Sequence, residues 1–412
     1  MASLPAASSA DAPDTLNDVP TTYRVLATCG VFEPGFRGGG PVKSVANVLD
    51  TLPGHIELLL ITSDRDLGSS DPYPGLTSTC VRRGERAAVF YLAARSPRSW
   101  VRLLRRVRAQ RIDLLYLNSL WSPYSLVPIS ALAAGLLSVS AVLIAPRGEL
   151  SPGALGVKRR KKQIFLRVWS RVLKRLDVRW HASSDLERTH VLETFPWARV
   201  LVRGSEGIAP ARPVPPVGPR PGPLRLVFIG RLSPMKNLTL ALTALRPLRR
   251  PVEFDIFGPL EDSRYWADCQ RLIAELPSCV RVRYRGELAP ELVRPTFNEY
   301  DAFLFPTLGE NFGHVILESL SASCPVVCSD ATPWSALIEA ASGVIVRPLT
   351  VARLTAELEA LSRRSPLDRF RERQQAERAY RAWRQQVPSG NVLEQATTAL
   401  TEQTPQKGNP EK

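Results

Sequence analysis

No run of eighteen or more uncharged apolar residues occurs in the 412 residues, which argues against a chain that crosses a membrane as helices. The nearest approach, SLVPISALAAGLLSVSAVLIA at residues 125–145, is interrupted by Pro128 and Gly135 and carries serines throughout. It reads as a core helix followed by a strand. Residues 1–22 have neither a basic start nor an apolar stretch, so they read as a disordered tail rather than a secretory signal. The six cysteines (29, 80, 269, 279, 324 and 328) show no metal-ligand or paired spacing, and the four histidines are dispersed. That pattern excludes a recognisable zinc module and fits reduced thiols in a cytoplasm. No Asp-rich metal site is evident, so neither a metal nor a cofactor is expected. Acidic residues are outnumbered 39 to 54, giving a net charge of +15, but Arg exceeds Lys by 46 to 8. GC-rich coding alone could produce such a bias. With no DNA-binding or RNA-binding module in sight, a nucleic-acid partner is not expected.

What is present is a repeated grammar. The apolar runs YRVLATC, IELLLITS, AAVFYLA, IDLLYLNS, SAVLIAP and VRWHASS alternate with helical stretches before residue 185, which implies a parallel sheet covered by helices on both faces. APARPVPPVGPRPGP at residues 209–223 holds seven prolines in fifteen positions and reads as a stiff linker. The grammar then restarts with LRLVFIGR, VEFDIFG, VRVRYRG, DAFLFPT, PVVCSD and GVIVRP. The expected architecture is α/β, with two Rossmann-like doubly wound domains at 23–208 and 224–365 facing each other across a cleft. Such sheets bind ligands beyond the carboxyl ends of their strands. Residues 366–388 read as a charge-rich helix packing back across the domain seam, and 389–412 as a second disordered tail.

Three constellations point into that cleft. In PTLGENFGHVILESL, Glu310 falls in the loop after a strand and Glu318 about one and a half turns into the following helix. A carboxylate can accept two hydrogen bonds from a vicinal diol, which suits one glutamate to a ribose and the other to a sugar ring. Between them, the backbone N–H groups of Phe312, Gly313 and His314 at the helix start suit a phosphate. Taken alone, Glu310 as a capping acid and Glu318 as a solvated helix residue explain the pair as well. In LVFIGRLSPMKNL, Arg231 and Lys236 bring two cations to one sheet edge, where they can neutralise a leaving diphosphate, or stand in a solvated loop. In CGVFEPGFRGGGPVKSVANVLDTL, Gly38, Gly39 and Gly40 allow close approach of backbone N–H groups to a phosphate. It is no P-loop, since two residues separate Lys43 from Gly40, and a turn without a ligand remains open.

Taken together, FRGGGPVKSVANVLD, APRGELSPGAL with KRRKK, GRLSPMKN, FGPLED, GENFGHVILE, PVVCSDATPW and YRAW resemble the retaining GT-B glycosyltransferases of the glycosyl transferases group 1, or family four, type. Within it the set is similar to bacterial enzymes of exopolysaccharide and lipopolysaccharide assembly. The resemblance implies transfer of a sugar, with retention, from a UDP- or GDP-sugar to a hydroxyl of a growing glycan or lipid-linked oligosaccharide. It implies that Arg231 and Lys236 hold the diphosphate, Glu310 contacts the transferred sugar and Glu318 the ribose. Asn311 to His314 would line the sugar and diphosphate, Gly38 to Gly40 would close from the other domain, and backbone near Gly258 and Gly286 would meet the base. One departure stands at Ser323 and Cys324, where the family usually has Ala-Gly before a strand. Arg147 and Glu149 follow a strand of the first domain and read as acceptor-side residues, with a surface ion pair between them as the alternative. His55, His181 and His190 read as packing or surface residues, and Trp334 as packing under the following helix, with stacking on a base as the alternative.

The stretch 158–176, KRRKKQIFLRVWSRVLKRL, has nine Lys or Arg and no acid, with Ile164, Phe165, Val168, Trp169, Val172 and Leu173 at helical spacing. It suits an anionic membrane surface, or a core helix with a solvated basic face. The expected location is therefore cytoplasmic, with peripheral contact at the inner face of the membrane. A non-catalytic nucleotide-sugar-binding subunit of a glycan assembly complex is the alternative function.

Overall fold

The computed structural model describes residues 22–93, 96–156, 159–203, 212–387 and 390–401. The first domain runs β1 (Tyr23–Cys29), α1 (Gly40–Asp50), β2 (Ile56–Ser63), β3 (Cys80–Arg83), β4 (Ala87–Leu92), α2 (Pro97–Arg108), β5 (Leu114–Asn118), α3 (Pro123–Ala133), β6 (Ala141–Ala145), α4 (Pro152–Gly156), α5 (Arg159–Arg175), β7 (Arg179–Ala182), α6 (Asp185–Thr194) and β8 (Arg199–Arg203). Its strands line up as β3-β4-β2-β1-β5-β6-β7-β8. Only β3 is antiparallel, against β4. β5 and β7 are buried from end to end because helices cover both faces. One face packs Val42, Val45 and Leu49 of α1, and the other packs α2, α3, α5 and α6 around Trp100, Ile129, Leu173 and Trp180. The apolar stretch at 125–145 is thus α3 and β6, each far shorter than a bilayer crossing. Among the described residues no helix is long and apolar enough to cross a membrane.

The second domain runs β9 (Leu224–Ile229), α7 (Leu238–Leu245), β10 (Val252–Phe257), α8 (Ser263–Ala274), β11 (Val280–Tyr284), α9 (Val293–Phe297), β12 (Ala302–Phe305), α10 (His314–Ser321), β13 (Val326–Ser329), α11 (Ser335–Ala340), β14 (Val344–Val346) and α12 (Val351–Ser362). All its strands are parallel, in the order β11-β10-β9-β12-β13-β14. The strand order reverses between β9 and β12. Crevices form at such a point, beyond the strand ends.

Three expectations change here. The proline-rich segment, read as a stiff linker between the domains, is fastened along the second domain over its described part, 212–223. Val214 donates its N–H to Ser321 O (2.7 Å) and accepts from Ser323 Oγ, while Asn298 Nδ2 and Arg220 Nη1 add bonds to Pro215 O (3.0 Å) and Glu299 O (2.9 Å). Residues 209–211 lie outside the described set. Next, α13 (Pro366–Gln386) does not cross the seam. It packs on α10 and α11 and buries Arg369 and Arg373, whose guanidinium groups donate to carbonyl oxygens of Pro223, Gly222, Ser323 and Asn298 and to Asp301. The crossing is made instead within 389–412, expected to be without structure, where α14 (Val392–Thr401) docks on the first domain. Val392, Leu393 and Ala396 enter its core, and Asn391 Nδ2 bonds Val48 O (2.8 Å) and Thr51 Oγ1 (3.0 Å). The polar flanks of this short apolar face hid it. The expected tail at 1–22 lies, but for residue 22, outside the described residues.

Candidate functional site

The reversal between β9 and β12 places two loops side by side. After β9, Arg231 leads into a short 3-10 turn, Pro234–Lys236. After β12, residues 306–313 lead into α10. The loops are tied together, since Leu308 N–H and Thr307 Oγ1 both bond Met235 O (2.9 and 3.2 Å), and Glu310 N–H is held by Ala331 O (2.9 Å). This scaffold pairs Lys236 Nζ with Glu310 Oε1 in a nearly buried ion pair. The ammonium also lies 5.4 Å from the centre of the Phe305 ring. Arg231 stands at the same edge but turns outward, donating to Glu261 Oε1 at 2.9 Å from a side chain 40% exposed.

Glu318 lies on α10 one turn beyond His314, on the same helix face. Its carboxylate faces the other domain and pairs with Lys43 of α1. Alongside, Ser44 Oγ bonds His314 Nε2 (2.9 Å). The His314 side chain is partly buried, and desolvation, with the charges of Lys43 and Arg147 adding to it, pushes its pKa down to about 3. The ring is neutral and holds the seam without charge. Gly40 fits because a Cβ there would lie 3.0 Å from His314 Cδ2. Gly39 takes φ 66° just before α1, and Gly38 backs onto Val31 and Val42. The glycine loop and the start of α10 therefore face each other, as expected of a cleft closed from both sides.

Phe312 is buried between His314 and Trp334, with ring centroids 4.6 and 5.3 Å away. Trp334 donates Nε1–H to Phe312 O and meets Trp383 edge-on, so it packs. Asn311 reaches out of the second domain, donating Nδ2–H to Ser183 Oγ (2.7 Å) and accepting from Ser184 Oγ at its carbonyl (3.2 Å). Glu187 backs this contact, accepting from Ser183 N and Oγ (2.8 Å each) and from Gly148 N (2.7 Å). Gly258 and Gly286 are neighbours at the ends of β10 and β11, where Gly258 N–H bonds Gly286 O (2.8 Å). Only glycine fits at 258, since a Cβ would come within 1.9 Å of Gly230 O.

Arg147 and Glu149 do not pair with each other. Arg147, at φ 54°, sends its guanidinium inward to Asn118 Oδ1 (2.6 and 3.1 Å) and Tyr116 Oη (2.8 Å). Tyr116 Oη in turn meets His181 Nδ1 (3.0 Å), and burial followed by the Arg147 charge holds the His181 pKa well below its ordinary value. Glu149 is turned into the loop ahead of α3, where Ser119 Oγ (2.7 Å), Leu120 N and Trp121 N (3.3 Å) donate to it, and burial raises its pKa despite them. These bonds tie Glu149 to that loop. Sequence reasoning passed over Lys43, Ser44, Ser183, Ser184 and Asn118. Lys43 was visible three places after the glycine loop, whereas nothing in the sequence set the two serines apart from other strand-end residues. Among the described residues, no group of three or more His, Cys, Asp or Glu is placed to hold a metal ion.

Residues 223–364, which contain the Lys236–Glu310 pair and Glu318, match the profile described as Glycosyl transferases group 1. The match covers the second domain only. Similarity to curated proteins is likewise partial. O-antigen chain mannosyltransferase B of Escherichia coli is 30% identical over 136 residues, 32% of this chain and 35% of that protein. Glycogen synthase of Mycobacterium tuberculosis is 31% identical over 188 residues, 45% of this chain and 43% of that one. The chain thus spans well under half the length of the curated relatives it matches. The fold likeness extends further. Sucrose-phosphate synthase of Thermosynechococcus elongatus superposes with a TM-score of 0.68 at 14% identity, covering 92% of this chain and 98% of that one. HepE of Anabaena, solved with UDP and glucose, superposes with a TM-score of 0.64 at 16% identity, covering 92% and 100%. Over the 92% of the chain that superposes, the fold is therefore the GT-B architecture seen in glycosyltransferases.

Proposed function

We propose that the protein transfers a sugar, with retention of configuration, from a nucleoside-diphosphate donor to a hydroxyl of a growing glycan or lipid-linked oligosaccharide. The observation that carries this reading is the set of Glu310, Lys236 and Glu318 gathered beyond the ends of β9 and β12, opposite the glycine loop. In it, Glu310 meets the transferred sugar and Glu318 the ribose. Lys236, with Arg231 swung in from Glu261, neutralises the charge that grows on the departing diphosphate. The reading assigns that charge to cations and calls on no metal. Gly258 and Gly286 bring backbone close to the base, and Asn118 with Arg147 presents a polar wall on the acceptor side. The HepE complex with UDP and glucose and the E. coli O-antigen mannosyltransferase support the substrate class.

The test uses the intact chain with UDP- and GDP-sugars. A thermal-shift screen finds the donor, since a ligand that binds only the folded state raises Tm in proportion to its affinity. Glu310→Ala should then abolish at least 99% of transfer while the nucleotide still binds. Nucleotide-sugar binding by the wild type without turnover on any acceptor pool would favour a binding subunit instead.

Membrane contact belongs to the same proposal. On α5, Phe165 and Trp169 pack inward with Trp121, and Lys162 lies over the Trp121 ring. Ile164 and Val168 remain 64% and 57% exposed, among exposed Arg160, Lys161, Arg167 and Arg171. Two outward aliphatics ringed by cations suit anionic headgroups. Ile164→Glu with Val168→Glu should release the protein from anionic liposomes in a sedimentation assay, and undiminished binding by this variant would refute the contact.

A further inference from the structure

We propose that Lys43 is a diphosphate-binding residue contributed by the first domain, paired with Glu318 and handed to the donor's phosphates when a nucleotide binds. The proposal rests on the reading of Glu318 as the ribose-binding acid. The carboxylates of the cleft are matched by its own ammonium groups, Lys236 on Glu310 and Lys43 on Glu318. A nucleoside diphosphate brings the complementary set. Its vicinal hydroxyls need the carboxylates, and its phosphates need the ammonium groups.

The geometry places Lys43 for this exchange. Ser44, the next residue, is bonded to His314 at the first position of α10, and Gly40 lies against the same ring. The Lys43 charge reaches His314 strongly enough to help keep its imidazole neutral. The ammonium therefore stands beside the first turn of α10, whose N–H groups face any phosphate bound there. Glu318 is only 15% exposed and Lys43 36%, so a ribose that takes Glu318 must displace Lys43 from a partly dehydrated partner. A lysine's flexible four-carbon stem lets the charge swing to a new anion without moving the backbone. No carboxylate or ammonium is then left unmatched, which a half-buried pair would otherwise resist. Because Lys43 and Glu318 belong to different domains, the exchange couples cleft closure to the presence of phosphate.

The experiment is isothermal calorimetry of UDP, GDP and uridine with the full chain, across a salt series, together with small-angle scattering of the ligand-free protein. The variants are Lys43→Gln, Lys43→Arg and, as a control at the cleft rim, Arg37→Gln, which loses an exposed pair with Glu287. Lys43→Gln should weaken binding of the diphosphate about tenfold and reduce its salt sensitivity. Uridine, which has no phosphate for Lys43 to follow, should bind it at least as well as the wild type. The ligand-free particle should expand, Lys43→Arg should restore the salt dependence, and Arg37→Gln should resemble the wild type. Diphosphate affinity and salt dependence unchanged in Lys43→Gln would overturn this proposal alone, leaving Lys43 a structural latch. Failure of the wild type to bind either UDP or GDP would overturn the donor reading and this proposal with it.

Discussion

Lys236 and Glu310, 74 residues apart in sequence, form an ion pair with side chains only 14% and 12% exposed. Neither charge has easy recourse to water if its partner is removed. Breaking a pair of this kind costs about 3 kcal/mol, whereas replacing both members by neutral groups costs far less. Lys236→Met should therefore lower stability by about that amount in chemical denaturation, and adding Glu310→Gln should recover more than half of it. Additive losses would show that the pair is not coupled. Both variants should lose transfer activity.

Gly258 carries φ 142° at the end of β10, with Gly230 O where a Cβ would be. A backbone carbonyl in a central sheet cannot step aside. Gly258→Ala should destabilise the second domain by about 3 kcal/mol or more, read as a large fall in the urea midpoint or as loss of soluble protein. An unchanged midpoint would contradict the close packing of β9 and β10.

Ser323 adopts a left-handed φ of 57° and gives its hydroxyl to Val214 O, fastening the proline-rich segment. Ser323→Ala keeps the strained backbone and loses the bond, for about 1 kcal/mol. Ser323→Gly loses the same bond but relieves about 1–2 kcal/mol of left-handed strain, less glycine's own entropy cost. Denaturation curves should rank glycine above alanine at this position. The opposite order would remove backbone strain from the account.

His314 ionises near 3 in the folded protein against 6.5 for an unperturbed imidazole. Between those values the unfolded chain binds a proton that the folded chain does not, so stability present above pH 6.5 is lost as pH falls. The slope approaches about 1.4 kcal/mol per pH unit for one such histidine. His181, shifted in the same direction by burial, adds with the same sign. Urea midpoints should drop between pH 7 and pH 5, and His314→Gln should show a shallower drop. An identical pH profile in the variant would mean that His314 is exposed in solution.

The second domain was the more legible of the two. Its strands are rich in Val, Leu, Ile and Phe and punctuated by Gly and Pro, and every strand named from the sequence is present. The first domain hid its edges. β3 and β8 read CVRR and RVLVR, and an edge strand half-faced to water needs no apolar run. The ends of the chain misled for a related reason. α13 buries Arg369 and Arg373, which the eye assigns to solvent, because backbone carbonyls from three separate segments converge on them.

By itself, then, the sequence determined two doubly wound domains and the residues Glu310, Lys236, Glu318 and Gly38 to Gly40 around one cleft. Periodicity, turn residues and motif spacing are local properties, written within a few residues of one another. Partnership is not local. That Lys43 meets Glu318, that Asn311 spans to Ser183 and that α14 returns to the first domain depend on surfaces more than a hundred residues apart being brought face to face. Only the tertiary structure decided those, because a charge or an amide in a desolvated seam takes whichever partner the packing of the two domains places opposite it.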